Sequence, residues 1–354
     1  MPESTYRTNS RGESEGRTEM NDTGFGFLLL VAASLMNSTF TLPMKFTRRW
    51  AWENTWLAWT IFALILLPTT AALFTLPDLD AVYRAAGSGL LWHVAGFGAG
   101  WGLAQVFFGL AVEAIGIALT FSLVLGTSAA MGALIPMLLL HPAKLHTPAG
   151  HSLLIGIGLL LLGVAICAVA ATLRENAMPA QGRTRRGSAT AGLILAIGCG
   201  CLASFQNFGL AFGMPLLHIA IEHGAGVSNA ANAVWLPLFV AGAIPNLFYC
   251  GYLLKKNSSG IRFARGGLHH WLLAFVMGAF WFGSNLLYGA SVSKMGSLGP
   301  AVGWPLYMSL IVVAASLVGI VTGEWKQSGR RPVAVQLAGV GVLIVAIIML
   351  AKAS

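Results

Sequence analysis

Long apolar stretches recur along almost the whole chain and constrain its fold more than any other feature. Each holds about 20 residues, the length that an α-helix needs to cross about 30 Å of hydrocarbon. A membrane barrel would instead have alternating segments of about ten residues. The sequence therefore predicts an all-α integral membrane protein with ten transmembrane helices. The predicted spans are residues 24–43, 55–76, 91–110, 115–140, 150–172, 189–211, 229–254, 269–292, 298–322 and 333–351.

Charged residues are scarce in this chain. Asp, Glu, Lys and Arg make up 9% of the 354 residues, whereas soluble domains carry roughly 25% because a surface in water has to be solvated. The hydrophobic fraction of 56% agrees with burial in lipid. Composition thus excludes a soluble enzyme, but it names no function.

Two polar segments divide the chain. Residues 1–23 hold five acidic residues and no apolar run, so we interpret them as a disordered N-terminal tail rather than a secretory signal, with Met20 as an alternative start. Residues 173–188 contain four arginines and form a basic cytoplasmic linker between the fifth and sixth spans. The predicted domains are therefore two five-helix repeats, 24–172 and 189–354.

The two halves carry a weak internal repeat. Residue types match at an offset of 170 residues between the first and sixth spans, and of 180 residues between the third and eighth. The matching pairs are Ser34 and Ser204, Asn37 and Asn207, Trp101 and Trp281, Gln105 and Asn285, Gly109 and Gly289, and Gly116 and Gly296. Because each half has an odd number of spans, the second is predicted to be inverted, as in many secondary transporters.

Basic residues are distributed unevenly between the two sides of the predicted bundle. Of the 21 Lys and Arg residues, seven lie on the side of the termini and fourteen on the opposite side. Cytoplasmic loops of membrane proteins are enriched in Lys and Arg. We therefore expect a multi-pass protein of the bacterial inner membrane with both termini on the periplasmic side.

Polar and aromatic side chains within the spans are the candidate binding residues, because hydrocarbon leaves polar groups unsatisfied. Trp101 and Gln105 share one helix face, and Trp281, Asn285 and Tyr288 share another. An indole ring covers the C–H face of a sugar while an amide exchanges hydrogen bonds with its hydroxyl groups. Interhelical hydrogen bonds and lipid-facing tryptophans are the alternative interpretation. The predicted substrate-binding residues are Asn37, Trp101, Gln105, Asn207, Trp281, Asn285, Trp304 and Tyr307.

Charged side chains are confined to the span ends and loops, which favours a neutral substrate over an ion or a drug cation. The sequence contains no phosphate-binding loop that would point to ATP, and no metal-ligating cluster can be assembled from it. The candidate gate or coupling residues are Lys45, Glu53, Glu113, Glu324, Arg330 and Arg331. We hypothesise that Glu53 or Glu324 exchanges partners with the cations at the inner mouth.

Three segments resemble the L-rhamnose/proton symporter family, a ten-span branch of the drug/metabolite transporter superfamily. The resemblance runs from about residue 24 to the end, and the stretch from Glu324 to Pro332 is its most specific part. The segments carry Pro43, Met44, Lys45, Arg48, Arg49, Trp50, Trp52, Glu53 and Trp56; Gly98, Trp101, Gly102, Gly109, Leu110 and Gly116; and Trp304, Met308, Ser309, Gly319, Glu324, Trp325, Gly329, Arg330, Arg331 and Pro332.

The resemblance implies proton-driven uptake of a small neutral sugar, L-rhamnose or a related deoxy-hexose, without an enzymatic step or a cofactor. A related sugar is kept as an alternative to L-rhamnose, because the eighth and ninth spans are less polar and aromatic than the family pattern at Ser284, Leu286, Leu287 and residues 300–303. No nucleic-acid partner is expected, and the oligomeric state is open. The residues alone also permit a drug or metabolite exporter of the same superfamily, or a non-transporting membrane sensor. An intramembrane enzyme is not expected, because the spans supply no nucleophile with a base.

Overall fold

The computed structural model describes residues 24–177, 188–295 and 299–353, apart from 324 and 327. The predicted tail 1–23, most of the predicted linker and the gate candidate Glu324 lie outside the described residues.

Within the described residues the protein is helical, and ten helices are long and apolar enough to cross a membrane. The fold class and the ten predicted spans are therefore confirmed. The helices are α1 (Gly24–Phe46), α2 (Trp52–Thr75), α3 (Leu79–Ile115), α4 (Leu119–Leu140), α5 (Pro148–Ala177), α6 (Ala189–Glu222), α7 (Asn232–Lys256), α8 (Arg262–Lys294), α9 (Gly299–Val321) and α10 (Arg330–Ala351).

Two of the helices begin well before the apolar stretches predicted for them. α3 begins at Leu79 and α8 at Arg262, and each contains one glycine with φ in the left-handed region, Gly87 at +74° and Gly267 at +64°. A glycine adopts such a φ without steric cost, so it joins a charged first segment to the apolar remainder at an angle. Hydropathy detects only the apolar remainder, and the predicted starts therefore lie too late.

Other boundaries differ because helices continue past the hydrocarbon. α6 extends beyond its predicted end at residue 211 to Glu222, with interruptions at Ser204 and Gly213. α5 runs to Ala177, so the first residues of the predicted linker are helical. The division of the chain into two repeats stays a prediction.

The helices of the first half of the chain pack extensively against those of the second half. α5 lies along α10, α4 packs on α6 and α9, α3 packs on α6 and α7, and α2 packs on α7 and α8. Because both halves contribute to these contacts, the buried centre of the bundle lies between them. This is the position in which transporters of repeat construction place their substrate site.

Small residues bring α3 and α7 into close contact. A Cβ added at Gly98 would lie 1.9 Å from the carbonyl oxygen of Leu238, and one at Gly102 would lie 2.2 Å from that of Gly242. The missing side chains therefore allow the two backbones to approach, as is common between membrane helices. This close approach fixes the position of Trp101, which α3 carries directly before Gly102.

Candidate functional site

One face of α8 forms the centre of the candidate site. Trp281, Ser284, Asn285 and Tyr288 follow one another at the spacing of a single helix face, and all four are buried. Buried polar side chains in lipid require partners within the protein. The partners of these four residues come from both halves of the chain.

Trp281 and the three rings that contact it form a cluster, which we call the aromatic box: Trp59, Trp101, Phe239 and Trp281. Trp101 stacks on Trp281 with ring centroids 5.4 Å apart and planes 24° apart. Trp59 meets Trp281 edge-on at 5.3 Å, and Phe239 lies 5.0 Å from Trp281 and 5.8 Å from Trp101. The structure thus brings together two tryptophans that the sequence places on different spans.

Two members of the aromatic box are not among the predicted binding residues. Trp59 belongs to a run with Trp52 and Trp56 at the spacing of one helix face. Phe239 lies 180 residues after Trp59, the same offset that relates Trp101 to Trp281. Either pattern could have identified them, but an aromatic residue in an apolar span is commonly a packing residue.

A polar network lies next to the box between α1, α8 and α9. Asn37 Nδ2 donates to Ser284 Oγ at 3.1 Å and to Tyr307 Oη at 2.9 Å. Tyr307 Oη donates in turn to Ser284 Oγ at 3.0 Å. Tyr307 also stacks on Tyr288 with ring centroids 4.8 Å apart, so the predicted residues Asn37 and Tyr307 share one cluster with the α8 face.

Asn207 joins three other helices. Its Nδ2 donates to the carbonyl oxygens of Gly132 at 2.8 Å and Pro300 at 2.9 Å, and its Oδ1 accepts from Tyr288 Oη at 2.7 Å. These bonds tie α6 to α4, α9 and α8. Since they use both donors of the amide, Asn207 has no spare donor for a ligand in this conformation.

The remaining predicted residues differ in their surroundings. Asn285 Nδ2 donates to the carbonyl oxygen of Trp281 at 2.8 Å, and its Oδ1 accepts from Gln206, which was not predicted. Trp304 Nε1 donates to the carbonyl oxygen of Ser128 at 3.0 Å. Gln105 is half-buried and makes no hydrogen bond within the part of the chain that the structure describes.

Most of the predicted amides therefore form hydrogen bonds between helices in this conformation, which is what the alternative interpretation of interhelical bonds describes. Such bonds satisfy the polar groups in this arrangement, because an unpaired amide in an apolar interior is costly. The hydroxyl groups of a polyol have the same donor and acceptor capacity as these side chains. The network therefore contains the donors and acceptors that a polyol would require.

The gate candidates that the structure describes differ in burial. Glu53 is buried, and its Oε1 accepts hydrogen bonds from Ser259 Oγ and, at 3.0 Å, from Asn257 Nδ2. Asn54 Nδ2 reinforces this contact by donating to the carbonyl oxygen of Ser259 at 3.0 Å. The start of α2 is thus tied to the loop between α7 and α8 through neutral hydrogen-bond partners.

The other described gate candidates lie on the surface. Lys45, Glu113, Arg330 and Arg331 are exposed, whereas Glu324 lies outside the described residues. The hypothesis of an exchange between Glu53 or Glu324 and these cations thus stays a prediction.

Two cavities lie at opposite ends of the bundle. One, of about 310 Å³, is lined by Leu140 and His141 at the end of α4 and by Pro300 at the start of α9. The other, of about 300 Å³, lies near the opposite ends of the same helices and includes Arg174 and Gln336 among its lining residues. Pro300, whose carbonyl oxygen accepts a hydrogen bond from Asn207, lines the first cavity.

Known proteins match almost the whole chain. A family described as L-rhamnose-proton symport protein matches residues 20–354. The L-rhamnose-proton symporter of Salmonella typhi is 29% identical over 331 residues, covering 91% of this chain and 95% of that protein. The L-rhamnose-proton symporters of Yersinia pestis and Yersinia pseudotuberculosis are each 28% identical over 329 residues, with the same coverage.

Proposed function

The chain belongs to the L-rhamnose-proton symport protein family, and we propose that it imports L-rhamnose or a related deoxy-hexose together with protons across the bacterial inner membrane. The observation that carries this proposal is the match over residues 20–354, which covers every described helix. The comparisons favour neither an exporter nor a membrane sensor. A transporter of this kind is not an enzyme, and its coupling ion is the proton rather than a bound cofactor.

The sugar would bind along the α8 face between the aromatic box and the polar network. The ring planes of Trp101 and Trp281 lie in direct contact, so the sugar takes the place of one of these stacking partners. Asn37, Asn285 and Gln105 would supply donors and acceptors for the hydroxyl groups. Trp304, whose indole donates to the protein backbone, would shape the site rather than bind the sugar.

Inverted repeats would let the two halves rock about this site. In such a repeat α2 corresponds to α7 and α3 corresponds to α8. The contact of α2 with α8 then corresponds to that of α7 with α3, and both contacts occur. The same correspondence pairs Gly87 with Gly267, which lie 180 residues apart and both have positive φ inside the third helix of their half. The ring contact of Trp59 with Trp281 has its counterpart in that of Phe239 with Trp101.

Alternating access requires closure on each side of the site. The bonds of Asn207 to α4 and α9 would close the side of the first cavity. The bonds of Glu53 to Ser259 and Asn257 would close the opposite side, which carries more Lys and Arg and is therefore assigned to the cytoplasm. Both termini would then lie in the periplasm.

Proton coupling can drive substantial accumulation. One proton moving down 100 mV releases about 2.3 kcal/mol, and each tenfold gradient of a neutral solute costs about 1.4 kcal/mol. A single coupled proton would thus sustain roughly a 50-fold gradient of sugar.

Uptake of radiolabelled L-rhamnose into proteoliposomes with an acidic exterior tests the proposed function. Accumulation that a protonophore abolishes is the expected result. No uptake of L-rhamnose or of several hexoses and deoxy-hexoses would refute it.

A pair of variants on the same preparation tests the placement of the site. Trp101→Ala should raise KM at least tenfold, because the sugar loses a stacking ring. Trp271→Ala, which alters a separate cluster with Trp50 and Phe263, should leave KM unchanged. Equal effects of both variants would mean that the site is misplaced.

A further inference from the structure

Two buried donors in α2 have no acceptor in the described part of the chain. Trp59 is 1% exposed, and neither its indole N–H nor the hydroxyl group of Thr60 meets a hydrogen-bond partner within the described residues. A buried polar group left unpaired costs about 1–3 kcal/mol. Folded proteins keep few such groups, and each calls for an explanation such as a bound water or a ligand.

The position of Trp59 indicates which of these explanations applies. Its ring contacts Trp281 at 5.3 Å, Trp56 at 4.5 Å and Phe40 at 6.0 Å, so it is part of the aromatic box itself. Directly after Thr60 the helix widens into a π-helical segment, Ile61–Leu66. π-helical segments are rare and are found frequently at functional sites.

Neighbouring tryptophans show that partners are available elsewhere in this bundle. Trp56 donates to Asn246 Oδ1 at 3.1 Å, and Trp304 donates to the carbonyl oxygen of Ser128. Among the described residues Trp50 and Trp235 also have unpaired indole N–H groups, but neither ring contacts Trp281. Trp50 belongs to the separate cluster with Phe263 and Trp271, and Trp235 stacks on Phe239. Of the described tryptophans, Trp59 is therefore the one with an unpaired indole that contacts Trp281.

We infer that the indole N–H of Trp59 donates a hydrogen bond to an oxygen of the transported monosaccharide. An indole N–H is a donor only, so it recognises a hydroxyl or ring oxygen and rejects a methyl or methylene group at the same place. Trp59 is thus a specificity-determining residue of the sugar site. This inference rests on the proposed function and adds to it a residue and a requirement on the sugar.

The test compares transport kinetics of three proteins with L-rhamnose and with analogues that each lack one of its hydroxyl groups. Wild type should discriminate against at least one analogue through the Trp59 bond. Trp59→Phe should raise KM for L-rhamnose about tenfold and abolish the discrimination against that analogue. Trp50→Phe, which removes an unpaired indole N–H from the separate cluster with Phe263 and Trp271, should keep wild-type KM and discrimination.

A second variant separates the N–H group from the size of the ring. 3-Benzothienylalanine at position 59 keeps the bicyclic ring and replaces the N–H with sulfur, so it should reproduce the kinetic effect of Trp59→Phe with wild-type yield. Wild-type KM and unchanged discrimination in this variant would overturn the inference. Failure of the wild type to transport any sugar would overturn the proposed function, and the inference with it.

Discussion

The close contact between α3 and α7 makes a single methyl group a strong perturbation. A Cβ at residue 102 would lie 2.2 Å from the carbonyl oxygen of Gly242, whereas ordinary contacts begin at 3.4 Å. Gly102→Ala therefore has to move the two helices apart by about 1.2 Å, because backbone atoms cannot yield as a flexible side chain does. Overpacking of this kind typically costs about 1–3 kcal/mol.

The displacement should reach the candidate site. Trp101 precedes residue 102 on α3, and its ring contacts Phe239 on α7 and Trp281 on α8. A shift of about 1 Å changes these ring contacts, since attraction between packed atoms falls steeply with a gap of 0.5–1 Å. We expect Gly102→Ala to lower the melting temperature and to raise KM for the sugar about tenfold.

Gly96→Ala is the matched control on the same helix. A Cβ at residue 96 would meet nothing within 4 Å, and alanine is the better helix former by about 0.5–1 kcal/mol. Thermal unfolding in detergent and initial rates of sugar uptake should therefore show no loss for this variant. Identical stability and KM in Gly102→Ala and Gly96→Ala would refute the reasoning that connects this interface to the site.

Three other substitutions test separate parts of the site. Tyr288→Phe takes away the donor of a buried acceptor, Asn207 Oδ1, so thermal unfolding should report a loss of about 1–3 kcal/mol; an unchanged melting temperature would contradict this. Glu53→Gln weakens the hydrogen bonds that the α7–α8 loop donates to this side chain, among them that of Ser259. It should change the maximal uptake rate several-fold without changing KM. A maximal rate equal to that of the wild type would argue against a gate at this position. Gln105→Leu should raise KM about tenfold with no loss of stability, because this amide has no partner in the described chain; the opposite pattern, lower stability with wild-type KM, would remove it from the site.

Glu222 provides the control for the Glu53 variant. It is exposed at the end of α6 and is not among the gate or coupling candidates, so Glu222→Gln should leave the uptake rate unchanged. An equal effect of both substitutions would assign the result to the loss of a charge rather than to the buried contact.

The ten spans were predictable because hydrocarbon imposes a length and a composition on each helix separately. The contact between Trp101 and Trp281 was also predictable, because the offset of 180 residues places the two at corresponding positions of the predicted repeat. The charged starts of α3 and α8 were not predictable, because they lie outside the apolar stretches that hydropathy detects.

The partners of the polar side chains could not be read from the sequence. Asn207 donates to the carbonyl oxygens of Gly132 and Pro300, and every residue carries such a carbonyl group. Which one is used depends on how the helices approach one another. The unpaired indole of Trp59 is invisible for the same reason, since only the packed structure reveals that an acceptor is missing.

Proton movement during sugar uptake tests the central claim most directly. Addition of L-rhamnose to lightly buffered, de-energised proteoliposomes that contain the protein should make the external medium more alkaline, as protons enter together with the sugar. The pH change should disappear with a protonophore and should be much smaller in the Trp101→Ala variant at the same sugar concentration. Uptake of L-rhamnose without any change in external pH would contradict proton symport.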